Sequence, residues 1–118
     1  AHDCSEGGLA VALAECSFNP EGSLGAEIDL SAAGDVRLDC LLFNESQSRV
    51  VISIGSEEMD SVLRLLQKRR VPAQRLGLVG GSALKVTAAG ETLSWPIEEI
   101  FGDWWNAIAS HLGEEPLR

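Results

Sequence analysis

Two short stretches of this chain carry residue types able to hold a ligand. The first is His2-Asp3-x-Ser5-x-Gly7-Gly8, just ahead of an Ala/Leu-rich run. Asp3 offers the carboxylate oxygen that a hard cation such as Mg²⁺ prefers. His2 can donate to a phosphate or take part in proton transfer. Glycines before a helix let backbone amides approach a ligand, and a helix N-terminus attracts anions. The same residues have a purely structural use, with Asp3 or Ser5 capping the helix and Gly7-Gly8 making a tight turn. Their spacing matches neither the GxxxxGK(S/T) phosphate loop nor GxGxxG after a strand.

The second stretch is Asn44-Glu45-Ser46-Gln47-Ser48-Arg49, between apolar Leu41-Leu42-Phe43 and a β-branched run. Its amides and hydroxyls suit a polar small molecule. The alternative is a strand-entry turn in which Glu45 pairs with Arg49. No catalytic triad can be assembled: the two histidines are His2 and His111, and His111 falls near the end of the last helix, where a cation is mildly favourable. The pairs Glu57-Glu58, Glu98-Glu99 and Glu114-Glu115 read as solvated helix faces or ends.

The elements that must position these residues follow from periodicity. Gly8 to about Phe18 reads as a helix with Leu9, Val11, Ala12, Leu13 and Cys16 on one broad apolar face. It stops at the breaker cluster Asn19-Pro20-Glu21-Gly22. Leu24, Ala26, Ile28 and Leu30 alternate with polar or small residues, a half-buried strand. Asp35 to Phe43 predicts a short helix. Val50-Val51-Ile52-Ser53-Ile54 is apolar on both faces and predicts a central strand. Ser56 is the expected N-cap of a helix with Met59, Val62, Leu63 and Leu66 as its stripe. Lys68-Arg69-Arg70 complement its C-terminal dipole, and it ends before Val71-Pro72. Strands follow at Leu76 to Val79, Ala83 to Thr87 and Thr92 to Trp95. Pro96 suits the first position of a last helix, whose Ile97, Phe101, Trp104, Ile108 and Leu112 predict one continuous core face. Gly102 within it costs about 1 kcal/mol relative to Ala. The Trp104-Trp105 pair reads as core and interdomain packing; full burial of Trp104 predicts a loss of about 3–5 kcal/mol on truncation to Ala. The fold class is α+β, with helices packed on a mixed or antiparallel sheet.

At 118 residues, one domain is expected. The hydrophobic fraction of 45% excludes a disordered chain, and no apolar run reaches the ~20 residues of a membrane span. The net charge of −9 argues against nucleic acid or an anionic membrane as partner. Cys4, Cys16 and Cys40 lack metal-site spacing. Cys16 and Cys40 fall among apolar residues and read as core positions. Reduced thiols and a cytoplasmic location are expected.

The segments AHDCSEGGLAVALAE, GAEIDL, LFNESQSRVVISI and VPAQRLGLVGGSALKV, in this order, resemble the C-terminal domain of the phosphoribosylformylglycinamidine synthase family. That family lies within the aminoimidazole ribonucleotide synthetase superfamily. The HD-x-S-D/E-GGLA-x-ALAE and LF-x-ESQ-x-R patterns are the specific part; LGLVGG supports them. The resemblance implies a purine-biosynthesis ligase that converts formylglycinamide ribonucleotide to its amidine with ATP, Mg²⁺ and ammonia from glutamine. Phosphorylation of the amide oxygen there gives an iminophosphate that ammonia attacks. It implies a fold like the C-terminal domain of aminoimidazole ribonucleotide synthetase, and an excised C-terminal fragment, 1–118, of a longer multidomain enzyme, inactive alone. Its partners would be the ATP-binding domains of the same full-length chain, a glutaminase subunit and the small-molecule substrate. By the same resemblance Asp3 is the metal ligand. His2, Ser5, Gly7, Gly8, Glu45, Ser46 and Gln47 line a nucleotide or substrate pocket. The family unit occurs twice per chain, in a catalytic and an auxiliary composite site. HD and SEGG resemble the second copy, which implies binding rather than chemistry for these residues. Other superfamily enzymes of the aminoimidazole ribonucleotide or selenophosphate synthetase type, and a non-catalytic scaffolding domain, are the alternatives.

Overall fold

The computed structural model describes residues 1–19 and 21–113. Pro20 of the breaker cluster and the Glu114-Glu115 pair lie outside the described residues. In chain order the elements are β1 (His2–Asp3), α1 (Gly8–Ser17), β2 (Ala26–Asp29), α2 (Leu38–Phe43), β3 (Val50–Val51), α3 (Met59–Lys68), β4 (Gly77–Val79), β5 (Ala83–Ala88), β6 (Glu91–Pro96), α4 (Ile97–Trp105) and α5 (Ala107–Leu112). Short 3₁₀ turns occupy Ser31–Ala33 and Ser56–Glu58.

The main sheet has the order β4-β2-β5-β6. β2 runs parallel to β5 and antiparallel to β4, while β5 and β6 form an antiparallel hairpin through Ala89-Gly90. The expected α+β class with a mixed sheet is therefore what the chain forms. Alternation decides its faces. Ala26, Ile28, Leu84, Val86 and Ala88 point inward and are buried together with Leu9, Ala12 and Leu13 of α1 and Ile97 of α4. Glu27 and Lys85, register partners on the parallel strands, point outward and pair at 3.1 Å. β1 and β3 form a separate two-stranded antiparallel ladder, His2 opposite Val51 and Asp3 opposite Val50.

Several expectations give way to the fold. The β-branched run at Val50 is not a central strand: two of its residues pair, with β1 alone, and Val50 and Ile52 are exposed. Apolarity on both faces marks β propensity, but it does not set how many neighbours a strand acquires. α2 begins at Leu38, later than the sequence suggests. Ser56 does not cap α3; its hydroxyl turns to Glu57, and a 3₁₀ turn leads into the helix. The last helix breaks at Asn106. Only Ile97 of the predicted core face is buried. Phe101 is half-buried, Trp104 and Trp105 are 49% and 51% exposed, and Ile108 and Leu112 are more exposed still. Cys16 and Cys40 are exposed, and Cys4 is the buried cysteine. The α1 turn that would bury Cys16 buries Ser17 instead, whose hydroxyl donates to the Leu13 carbonyl at 3.0 Å.

Candidate functional site

The two polar stretches meet. β1 is held by β3, and the ladder is extended by the Cys4 amide, which donates to the Arg49 carbonyl at 3.1 Å. The chain then turns through Gly7 and Gly8, both at positive φ (+76° and +75°), into α1. α1 packs on α2 so closely that a Cβ on Gly8 would stand 2.6 Å from the Phe43 carbonyl carbon and 2.8 Å from the Leu42 oxygen. Only glycine satisfies both the left-handed backbone and that approach. α2 delivers the Asn44–Arg49 loop directly beside this turn. There the Glu45 carboxylate accepts a hydrogen bond from the Gly7 amide at 2.8 Å, across 38 positions of sequence.

The proposed cap and turn pairings are not made. Neither Asp3 nor Ser5 caps α1, whose N-cap is Gly7 without a side-chain bond and whose first turn carries no acid. The Ser5 hydroxyl instead donates to Asp3 Oδ2 at 3.0 Å. Glu45 pairs with Gly7, and the Arg49 Nη2 donates to the Asn44 carbonyl. Arg49 Nε is buried without a partner among the described residues. The Ser46 amide closes an Asx turn on Asn44 Oδ1 at 2.7 Å, and Gln47 is exposed on the same loop. Thus His2, Asp3, Ser5, Gly7, Gly8 and Glu45 form one group, with Ser46 and Gln47 on the loop beside it.

Electrostatically the group is anchored by His2. Its Nε2 lies 2.8 Å from Glu15 Oε2 and its Nδ1 2.6 Å from the Asp3 carbonyl. Two acceptors facing one ring favour the form with both nitrogens protonated. The hydrogen bond to the Asp3 carbonyl raises the His2 pKa above its ordinary 6.5; partial desolvation opposes it, and Glu15 adds to the rise. The other Glu15 oxygen accepts from the Trp104 indole at 3.1 Å. Glu15 did not stand out by spacing, and the spacing that marked Trp104 assigned it to core packing rather than to this group. Their link to His2 exists only because β1 folds back along α1 and α4 packs on the other side, which no local pattern encodes.

The features whose chemistry suits an anion or a hard cation are a short Gly-Gly turn into an uncapped helix, an exposed carboxylate and a ring with donors. Among the described residues no group of three or more His, Cys, Asp or Glu side chains could cage a metal ion. Among them, also, no helix is long and apolar enough to cross a membrane.

A family model described as AIR synthase related protein, C-terminal domain, matches residues 1–88. The phosphoribosylformylglycinamidine synthase subunit PurL of Moorella thermoacetica is 47% identical over 109 residues, covering 92% of this chain and 14% of that protein. The subunit of the same name from Synechocystis sp. is 41% identical over 116 residues, 95% of this chain and 15% of the relative. That of Caldanaerobacter subterraneus is 38% identical over 108 residues, with 91% and 14% covered. The chain spans about a seventh of the length of these relatives.

Proposed function

The chain belongs to the family of AIR synthase related proteins, C-terminal domain, and from that premise we propose that it serves as one domain of an ATP-dependent ligase of purine biosynthesis. In this reading the whole enzyme converts formylglycinamide ribonucleotide to its amidine with ammonia from glutamine. The relatives' shared name supports the reaction, and their greater length supports a composite enzyme. The domain supplies half of a nucleotide or substrate site and is inactive alone. ATP-binding domains of the same full-length chain supply the other half, a glutaminase subunit supplies ammonia, and the assembly works in the cytoplasm.

One observation carries the reading: the Gly7 amide to Glu45 hydrogen bond, which joins the two polar stretches into one surface. Its residues fit Mg-nucleotide. When bound, that group supplies the phosphoryl transfer that turns an amide oxygen into a leaving group. Mg²⁺ bound to phosphates keeps much of its water and needs one or two carboxylates rather than a protein cage. Asp3 is the exposed carboxylate, and Ser5 restrains one of its oxygens. The uncapped first turn of α1 presents backbone amides to a phosphate. His2 adds positive charge beside it. Glu45 holds the Gly7 amide and so fixes the angle at which the turn enters the helix. Ser46 and Gln47 extend the polar rim toward the substrate.

The test is calorimetric titration of the full-length chain with Mg-ADP and Mg-ATP. Asp3→Ala weakens binding, whereas Asp35→Ala, at an exposed position that makes none of the group's hydrogen bonds, does not. Equal effects would remove Asp3 from the site. Tight stoichiometric binding to residues 1–118 alone would overturn the half-site account.

A further inference from the structure

A single chain of contacts runs from the last helices to the carboxylate proposed to bind the cation. The Trp104 indole donates to Glu15 Oε1 at 3.1 Å, and Glu15 Oε2 meets His2 Nε2 at 2.8 Å. His2 Nδ1 meets the Asp3 carbonyl at 2.6 Å, and Asp3 Oδ2 takes the Ser5 hydroxyl at 3.0 Å. Glu15 sits within α1, a helix packed on the core, and each of its two oxygens has one partner. We propose that Glu15 is a positioning residue, clamped by Trp104, that fixes the His2 ring and through it the place of Asp3. The inference rests on the nucleotide-site reading above and extends it to residues that touch no ligand.

Three features support it. β1 is only two residues long; the Cys4 amide and the buried Cys4 side chain anchor its C-terminal end, which leaves its N-terminal end to be held by His2. The His2 ring bridges α1 and the backbone of β1, and it cannot turn over without losing a contact at one nitrogen. Trp104 is itself fixed by Phe18 and Phe101, with ring centroids 5.2 and 6.1 Å away. It therefore holds one carboxylate oxygen and leaves the other for His2. Trp104 lies beyond residues 1–88, so this clamp is set from outside the portion that the family pattern covers.

The experiment compares Glu15→Ala, Glu15→Gln and Trp104→Phe with Asp3→Ala in the full-length chain. It reads Mg-ADP affinity by calorimetry, amide exchange of the peptide spanning residues 1–8 by mass spectrometry, and the unfolding midpoint. Loss of a ligand-orienting partner typically costs at least about tenfold in affinity. Glu15→Ala is expected to raise the Kd for Mg-ADP by about that factor and to speed exchange in the peptide, with the midpoint little moved. Glu15→Gln keeps an oxygen for His2 and stays closer to the parent. Trp104→Phe keeps the ring but not its N–H and shifts in the direction of Glu15→Ala. If Asp3→Ala weakens Mg-ADP while the Glu15 and Trp104 variants change neither affinity nor exchange, the clamp is wrong and the site stands. If Asp3→Ala leaves Mg-ADP binding unchanged, the site reading fails, and faster exchange in Glu15→Ala alone would then reduce Glu15 to a structural tie. Should Glu15→Ala not fold, the Trp104→Phe and Glu15→Gln pair decides by the same readouts.

Discussion

Gly8→Ala isolates the contact on which the meeting of the two polar stretches depends. Gly8 has φ +75°, and the added methyl would lie 2.6 to 2.8 Å from backbone atoms of Leu42 and Phe43. A left-handed L-residue costs about 1–2 kcal/mol. Forcing a methyl into a packed helix contact costs about 1–3 kcal/mol more, because the obstacle is backbone and cannot swing aside. The expected loss is about 2–5 kcal/mol, a large share of the ~6–18 kcal/mol that a domain this long commands. Gly90→Ala is the matched control. Gly90 also has positive φ (+78°), in the two-residue hairpin turn with Ala89, and nothing lies within 4 Å of its would-be Cβ, so only the backbone cost of about 1–2 kcal/mol applies. Urea unfolding of both variants, followed by circular dichroism, gives the difference directly. Equal losses would mean that α1 can move off α2 without cost, and the claim that this approach brings Glu45 to Gly7 would fall.

Other perturbations separate observed from expected packing. Trp104→Ala should cost about 1.5–2.5 kcal/mol, roughly half the value for a buried tryptophan, because half of the side chain is already in water; a loss above 4 kcal/mol in urea unfolding would contradict that exposure. Thiol alkylation timed by mass spectrometry should modify Cys40 first and Cys16 more slowly, since desolvation pushes the Cys16 thiol up, and should reach Cys4 only on opening of the fold. The His2 contacts stabilise the charged ring, so their contribution is complete below the unfolded pKa and is lost as pH rises through the raised folded value. The stability difference between parent and His2→Ala should therefore shrink with rising pH across that window, and a difference that grows would overturn the assignment of both ring nitrogens as donors.

What was legible beforehand follows a physical line. Alternation in β2 sorted inward from outward residues, because a half-buried strand writes its faces into a period of two. The Gly-Gly turn and the Asn44–Arg49 loop were visible as separate polar stretches, and their union followed from family resemblance alone. The hydrogen bond that joins them spans 38 positions and depends on how closely α1 lies against α2. The apolar spacing from Ile97 to Leu112 specified one face of a helix but not what lies opposite it. In this fold the helix breaks at Asn106, and most of that face looks into solvent. Cys16 and Cys40 were misplaced for a related reason: apolar neighbours in sequence say little about one position on a helix whose buried arc is narrow.

The strand order also governs how the domain comes into being. β4 and β5 follow each other in sequence, yet β2 lies between them, and the connection Gly80-Gly81-Ser82 crosses its end with Gly80 and Gly81 bonded to Gly25 at 2.7 and 2.8 Å. A nascent polypeptide leaving the ribosome therefore carries β2 with both edges open until β4 has emerged, and with one edge open until β5 follows. Loop closure over that distance is slow, and an unpaired edge invites pairing with another chain. A truncation upstream of Ala83 would leave β2 with an open edge, so the segments that bear Asp3 and Glu45 can rest on a finished sheet only late in synthesis.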